Sequence, residues 1–360
     1  MGFDIVQLAP RSRINQGMVC SVDSCGCATC PVRAFCDGPN GRCDAKKCDR
    51  VCGGCRAVCN RNPDRQAVVD ALGGADFSAV RWQPFDADLP PIIHQISSPV
   101  PGIELSVAVI NVKKLFSLKT HTWSPTRDLR ERFGLSPQCK VIISFFTGDQ
   151  YMDVFQDRIS EVAGALRRYD VDYVLSMDFS NYDNYPRFDT IVNLRRRMVS
   201  VELLQDHGFK VIPTLGWCAD RDFIRMRDWC VSNATSIVAL NVQTIRAPTT
   251  NSGWTDRLTK FRELRSALPT AHLLFVGAAA PARIRTLYEA VGPPIHFLDA
   301  KSYRTAEFHK DVEGARHDDI AVRDLFLLNA AAVNAAYTAA ANATGHAPVA
   351  RFRQPKLPLG

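Results

Sequence analysis

Eight short apolar runs, each bounded by turn or polar residues, restrict the fold of this chain more than any other feature. They occupy 91–96, 105–111, 141–146, 173–179, 211–217, 236–243, 272–278 and 295–300. Most are rich in β-branched residues and lack polar alternation, the pattern of parallel strands covered on both faces. Amphipathic stretches separate the later runs. In one, Ile191, Leu194, Met198 and Val201 share a helical face while Arg195, Arg196 and Glu202 point away. This alternation predicts an α/β fold, a (β/α)8 TIM-like barrel, with an open doubly wound sheet as the alternative. The link 97–104 is too short for a helix, so either the barrel opens irregularly or the first strand is misplaced. Asp319 to Ala341 is alanine-rich and reads as a C-terminal helix. Arg351, Arg353 and Lys356 lie in the basic tail beyond it.

A second feature sits ahead of the barrel. Ten of the 13 cysteines fall within forty residues: Cys20, Cys25, Cys27, Cys30, Cys36, Cys43, Cys48, Cys52, Cys55 and Cys59. The segment has no histidine and few large apolar residues, so a bound metal would have to supply the folding energy that a core cannot. Cys27-x2-Cys30 with Cys52-x2-Cys55 fits a four-cysteine zinc site. The same cysteines with Cys25 and Cys59 supply enough thiolates for iron–sulfur clusters, [4Fe–4S] being the first choice and zinc the alternative. Disulfides or free thiols are the third possibility. Cys139, Cys218 and Cys230 read as small buried hydrophobes. The expected organisation is a metal-binding module at 1–65, a linker and barrel lead-in at 66–104, the barrel at 105–312, and a helix with its tail at 313–360.

Of the 360 residues, 46% are hydrophobic and 22% charged, which suits a folded chain and argues against disorder. No run of eighteen apolar residues offers a membrane span, and residues 1–13 lack a signal-peptide layout, so a cytoplasmic location is expected. The net charge of +7 suits nucleic acid without requiring it.

In barrels of this kind chemistry collects at the C-terminal strand ends. Here those ends offer Asn111, Asp149, Asp178, Trp217, Asn241, Gln243, Gly277 and Asp299. Any one of the acids alone could equally cap a helix. The densest stretch follows Asp178, with Ser180, Asn181, Tyr182 and Tyr185 before Pro186. Tyrosine faces and amide groups beside an acid suit a planar base or a sugar, and they suit a turn-rich loop as well. No P-loop, GxGxxG, HExxH or GxSxG pattern occurs.

Asp178-Phe179-Ser180, the tyrosine and proline that follow, the arginine-bearing helix to Gly208, and Val211-Ile212-Pro213 running to Trp217 resemble an uncharacterised prokaryotic and phage family. A more distant resemblance is to the tRNA-guanine transglycosylases and their DNA-modifying relatives. Met177-Asp178-Phe179 and Tyr185-Pro186 are similar to that family's Phe-Asp-Glu strand end and Pro-Tyr-Pro loop. Leu273-Leu274-Phe275-Val276-Gly277 with Pro281 is similar to its glycine-bearing segment, and Phe297-Leu298-Asp299 to its nucleophile strand. Cys25-x-Cys27-x2-Cys30 repeats its CxCxxC zinc pattern at the opposite end of the chain. The resemblance implies Asp299 as nucleophile, Asp178 as the residue that reads the base, Asp149 as general base, and Lys301 as part of a basic stretch at the substrate.

The expected function is therefore a nucleic-acid base-modifying enzyme, a glycosylase or base-exchange transglycosylase acting on DNA, with a free base as possible second substrate. An iron–sulfur redox or radical enzyme and a non-enzymatic nucleic-acid-binding protein are the alternatives.

Overall fold

The computed structural model describes residues 33–35, 65–100, 102–181, 187–243, 252–278 and 280–345. The ten clustered cysteines, Tyr182 and Tyr185 lie outside these residues. All eight apolar runs contain strand. In chain order the elements are α1 (Arg65–Ala71), β1 (Ile92–Ile96), β2 (Val107–Asn111), β3 (Phe116–Ser117), β4 (Thr122–Trp123), α2 (Leu129–Phe133) and β5 (Lys140–Ser144). Next come α3 (Asp149–Asp157), α4 (Ile159–Arg168), β6 (Tyr173–Leu175), α5 (Arg187–Asp206), β7 (Val211–Ile212), β8 (Thr214–Leu215) and α6 (Asp220–Ser232). The chain continues through β9 (Ile237–Asn241), α7 (Ser252–Ala267), β10 (His272–Val276), α8 (Pro281–Val291), β11 (Ile295–Asp299), α9 (Ser302–Glu307) and α10 (Val322–Ala343).

Nine strands form one parallel sheet in the order β7-β6-β5-β2-β1-β11-β10-β9-β8. Its two end strands are halves of a single run split at Pro213. Proline has no N–H to give a ladder, so β7 pairs with β6 while β8 pairs with β9. The Pro213 carbonyl still accepts from the Ala239 N–H at 2.8 Å. The sheet thus curls round into a nearly closed barrel, and the open-sheet alternative is set aside. Side chains such as Ile93, Val109, Ile142, Val174, Ile212, Val238, Leu274 and Phe297 are wholly buried. Each such burial contributes about 1.5–3 kcal/mol.

The first link is irregular, as its length demands. Its described residues carry no helix; Val100, Ile103 and Leu105 are buried, and the Val100 N–H donates to the Phe133 carbonyl at the end of α2 (2.9 Å). A small β3–β4 hairpin that periodicity did not indicate follows β2.

Residues 65–91 run along the outside of the barrel. At the end where strands finish, Arg195 Nε of α5 donates to the Leu72 carbonyl (2.8 Å). At the other end, Trp82 Nε1 donates to the Val211 carbonyl and its N–H to Asn233 (both 2.9 Å). The predicted C-terminal helix is α10, which packs on α8 and α9. Buried Asn329 on α10 accepts from the Val312 N–H and donates to the carbonyls of Ser302 and Lys310. No helix among the described residues is long and apolar enough to cross a membrane.

Candidate functional site

The site grows from the end of β6. Ser176 Oγ accepts from the Thr214 N–H (2.8 Å), which latches β6 to β8. The Met177 N–H donates to Ser200 Oγ (3.2 Å), and that hydroxyl donates to the Arg197 carbonyl (2.7 Å), which fixes the turn to α5. Asp178 leaves the strand at this point with a side chain 11% exposed. Its Oδ1 accepts from Arg197 Nη2 and its Oδ2 from Asn241 Nδ2 at the end of β9, each at 2.6 Å. Burial pushes the Asp178 carboxyl above its ordinary value. Arg197 and Asn241 pull it down, and the neighbouring Asp149 adds to the rise. A carboxyl raised against an arginine partner is typical of functional clefts.

Asp178, Ser180, Asn181, Arg197, Gly216, Trp217, Asn241 and Arg257 line an open pocket of about 100 Å³, floored by Phe179, Leu215, Leu240 and Phe261. Arg197 is 2% exposed and spends Nη2 on Asp178 and on the Phe179 carbonyl (2.8 Å). Its Nε and Nη1 have no partner among the described residues, and neither do Trp217 Nε1 or the side-chain amide of Asn181. Burying such groups unpaired costs about 1–3 kcal/mol each, so a cluster of them is an expense the fold does not require. Arg257 lies over the Trp217 ring, 4.7 Å from its centroid, and donates to the Trp217 carbonyl (2.9 Å).

Asp149 opens α3, the helix that follows β5, and its Oδ1 accepts from the Ser180 N–H (3.2 Å). The structure therefore brings together Asp149, Asp178, Ser180, Asn181, Trp217 and Asn241. It places the remaining candidates among the described residues elsewhere. Asp299 is wholly buried: Oδ2 meets His94 Nδ1 at 2.9 Å, and Oδ1 accepts from the N–H groups of Lys301 and Ser302 (3.0 Å each). Burial alone would raise the Asp299 carboxyl, but its hydrogen bond to His94, that residue's charge and the Ser302 contacts outweigh it, leaving the group below its ordinary value. Lys301 Nζ donates to the Val312 carbonyl. Gln243 is exposed, and its N–H donates to Asn241 Oδ1 (2.9 Å). Gly277 lies against Gln243 with φ +85°, where a Cβ would stand 2.1 Å from Gln243 Cγ. Asn111 is tied to the Phe146 carbonyl and the Lys113 N–H, a local cap. Cys139, Cys218 and Cys230 are buried, and burial pushes the Cys139 thiol up to about 12 and the Cys230 thiol up as well.

Arg197, Gly216 and Arg257 did not stand out in the sequence. Arg197 carried a signal nonetheless: it sits three residues after Leu194 and four before Val201, on the buried stripe of α5. An arginine on an apolar stripe must find a buried partner.

The described fragment of the cysteine-rich stretch, Arg33–Phe35, docks near this end of the barrel. The Arg225 guanidinium of α6 stands 4.2 Å from the Phe35 ring centroid, and Phe35 packs against a cluster of Val69, Ala75 and the α5 residues Phe188, Ile191 and Val192.

Residues 109–266 match a family described as a domain of unknown function, DUF4417. That span holds every residue lining the pocket and stops short of Asp299. The similarity fits the uncharacterised family expected from the stretch between Asp178 and Trp217. No curated protein matches the chain. Among solved structures, the chain is similar to one described as a cube-shaped, highly porous protein cage designed by fusing symmetric oligomeric domains. The identity is 13%, the match covers 71% of this chain and 75% of that one, and the TM-score is 0.38.

Proposed function

We propose that the protein is a nucleic-acid base-modifying enzyme in which Asp178, with Asp149 beside it, is the reacting carboxylate. What supports this is the Asp178 environment: a carboxyl at a barrel mouth, raised by burial, oriented by Arg197 and Asn241, and open to a pocket rich in donors. A raised carboxyl, in its protonated form, can give its proton to a departing base as the C–N glycosidic bond breaks and the bonding pair leaves with the base nitrogen. The sugar carbon becomes oxocarbenium-like and is stabilised by the second carboxylate. Water, or an incoming base in an exchange reaction, then bonds to that carbon and yields its proton to Asp149. A base in a duplex must be flipped out to reach such a pocket, which makes single-stranded DNA the first substrate to try.

Asp299, the nucleophile that the transglycosylase resemblance implies, has both oxygens engaged beneath the surface. We therefore assign it to the structural support of the barrel mouth. The clustered cysteines from Cys20 to Cys59 are proposed to hold an iron–sulfur cluster, or zinc, that grips substrate or secures the N-terminal region. Metal analysis and an absorbance spectrum after anaerobic purification separate these: a band near ~400 nm marks iron–sulfur, and a zinc site is colourless.

The test is release or exchange of bases from single-stranded and duplex DNA and from RNA by the wild type, Asp178→Asn and Asp299→Asn. Base release by the wild type that Asp178→Asn abolishes is the expected result. Turnover unchanged in Asp178→Asn overturns the assignment.

A further inference from the structure

We infer that the pocket beside Asp178 is an oxyanion seat, taking a phosphate or carboxylate group of the ligand on Arg197, Trp217 and Arg257. The inference deepens the proposed function, resting on this pocket as the substrate site but not on glycosidic chemistry. Three observations carry it. Arg197 is 2% exposed, yet two of its three guanidinium nitrogens, Nε and Nη1, lack a partner among the described residues. A buried guanidinium presents its N–H groups as a planar fork that matches two oxygens of one oxyanion. The buried Trp217 Nε1 adds a third unpaired donor on the same lining.

The second observation is Gly216. A Cβ on this residue would stand 1.9 Å from Arg197 Nη1 and 2.9 Å from its Cζ. Its φ lies outside the left-handed range, so backbone conformation does not demand glycine here. The glycine leaves room for the guanidinium at the strand end.

The third is charge. Two arginines, Arg197 and Arg257, and one carboxyl, Asp178, are among the lining residues. Both Asp178 oxygens are already engaged by Arg197 Nη2 and Asn241 Nδ2, so that carboxylate does not occupy the remaining donors. An oxygen-rich anion can accept from the unpaired donors of Arg197 and Trp217, whereas a cation or an apolar group cannot.

The experiment is titration of the full-length protein with inorganic phosphate and, separately, with acetate, each against sodium chloride at matched ionic strength. It is followed by intrinsic tryptophan fluorescence and by thermal denaturation. Wild type should show a saturable response to at least one oxyanion that chloride does not reproduce; the stronger of the two identifies phosphate or carboxylate as the preferred group. Gly216→Ala, which displaces the guanidinium, should weaken that response about tenfold or more, the effect of losing one hydrogen bond to a charged group. Trp217→Phe keeps the ring and removes only Nε1, so it tests the seat should Gly216→Ala fail to fold; a weakening of several-fold is expected, read by thermal shift. No response beyond chloride in the wild type, or equal responses in wild type and both variants, overturns the seat. If base release depends on Asp178 while oxyanions do not bind, the seat is wrong and the acid–base assignment stands. If oxyanions bind as described while no base is released, the glycosidic chemistry is wrong and the seat stands.

Discussion

The two halves of the barrel mouth treat their strand-end aspartates in opposite ways. Around β11 and β1, Asp299 holds His94 and two backbone N–H groups, and Asn329 bonds at both ends of its amide. The floor beneath that half is similar. His272 Nδ1 meets His296 Nε2 at 2.7 Å, and His296 Nδ1 donates to the Pro90 carbonyl at 2.8 Å. Around β6, β8 and β9, by contrast, Arg197, Trp217 and Asn181 retain buried polar atoms without partners. Both halves carry an aspartate at a strand end, yet Asp299 lies below its ordinary ionisation range and Asp178 above it. A carboxylate that its surroundings fully satisfy supports the fold, while one that they strain is available for chemistry.

The largest effect should come from breaking the satisfied half. Asp299→Ala leaves the His94 ring and two backbone donors facing an empty buried site, and urea denaturation should show a loss of about 3–5 kcal/mol. Asp178→Asn removes a charge that burial disfavours but turns one of two engaged acceptors into a donor facing Arg197 or Asn241, so its loss should be smaller, about 1–3 kcal/mol. Equal losses in the two variants would erase the contrast.

The floor adds a pH test. Burial, helped by His272 and Arg265, holds His296 down at about 4, and burial with Arg265 also lowers His272. A histidine whose folded value lies below its unfolded one binds fewer protons in the native state. Stability is therefore full above about pH 6.5 and falls as pH drops towards 4, by up to ~3 kcal/mol for His296. Asp178 has the opposite sign: its raised value adds stability at low pH that is lost as pH rises through the folded value. Denaturation midpoints at pH 7.5 and 4.5 should differ in wild type and differ less in His296→Phe.

The smallest effect concerns the N-terminal fragment. Phe35→Ala removes the ring beneath Arg225 and its packing against the cluster that includes Val69 and Phe188. A loss of about 1 kcal/mol is expected, with faster proteolysis near α1 but unchanged burial of the barrel core.

Much of this contrast could not be read from the chain alone. The strands were legible because buried parallel strands are continuous apolar runs, and even the split at Pro213 left 211–217 recognisable. The aspartates were legible as strand-end acids, but not their difference. His94 lies 205 residues from Asp299, and only closure of the barrel brings them together. Nor could the Asp178 partners be read locally, since Asn241 is 63 residues away. Arg197 was the one component with a local signal, a charge on an apolar stripe. The β3–β4 hairpin was missed because two-residue strands carry no usable period.

The most direct measurement is the ionisation of the two aspartates themselves. Carbon-13 NMR of aspartate-labelled protein, with Asp178→Asn and Asp299→Asn to assign the two carboxyl signals, follows each through a pH titration. Asp178 should titrate above the ordinary aspartate value of about 3.9 and Asp299 below it. An Asp178 signal that titrates at or below that of Asp299 would contradict the division of the barrel mouth into a reacting half and a supporting half.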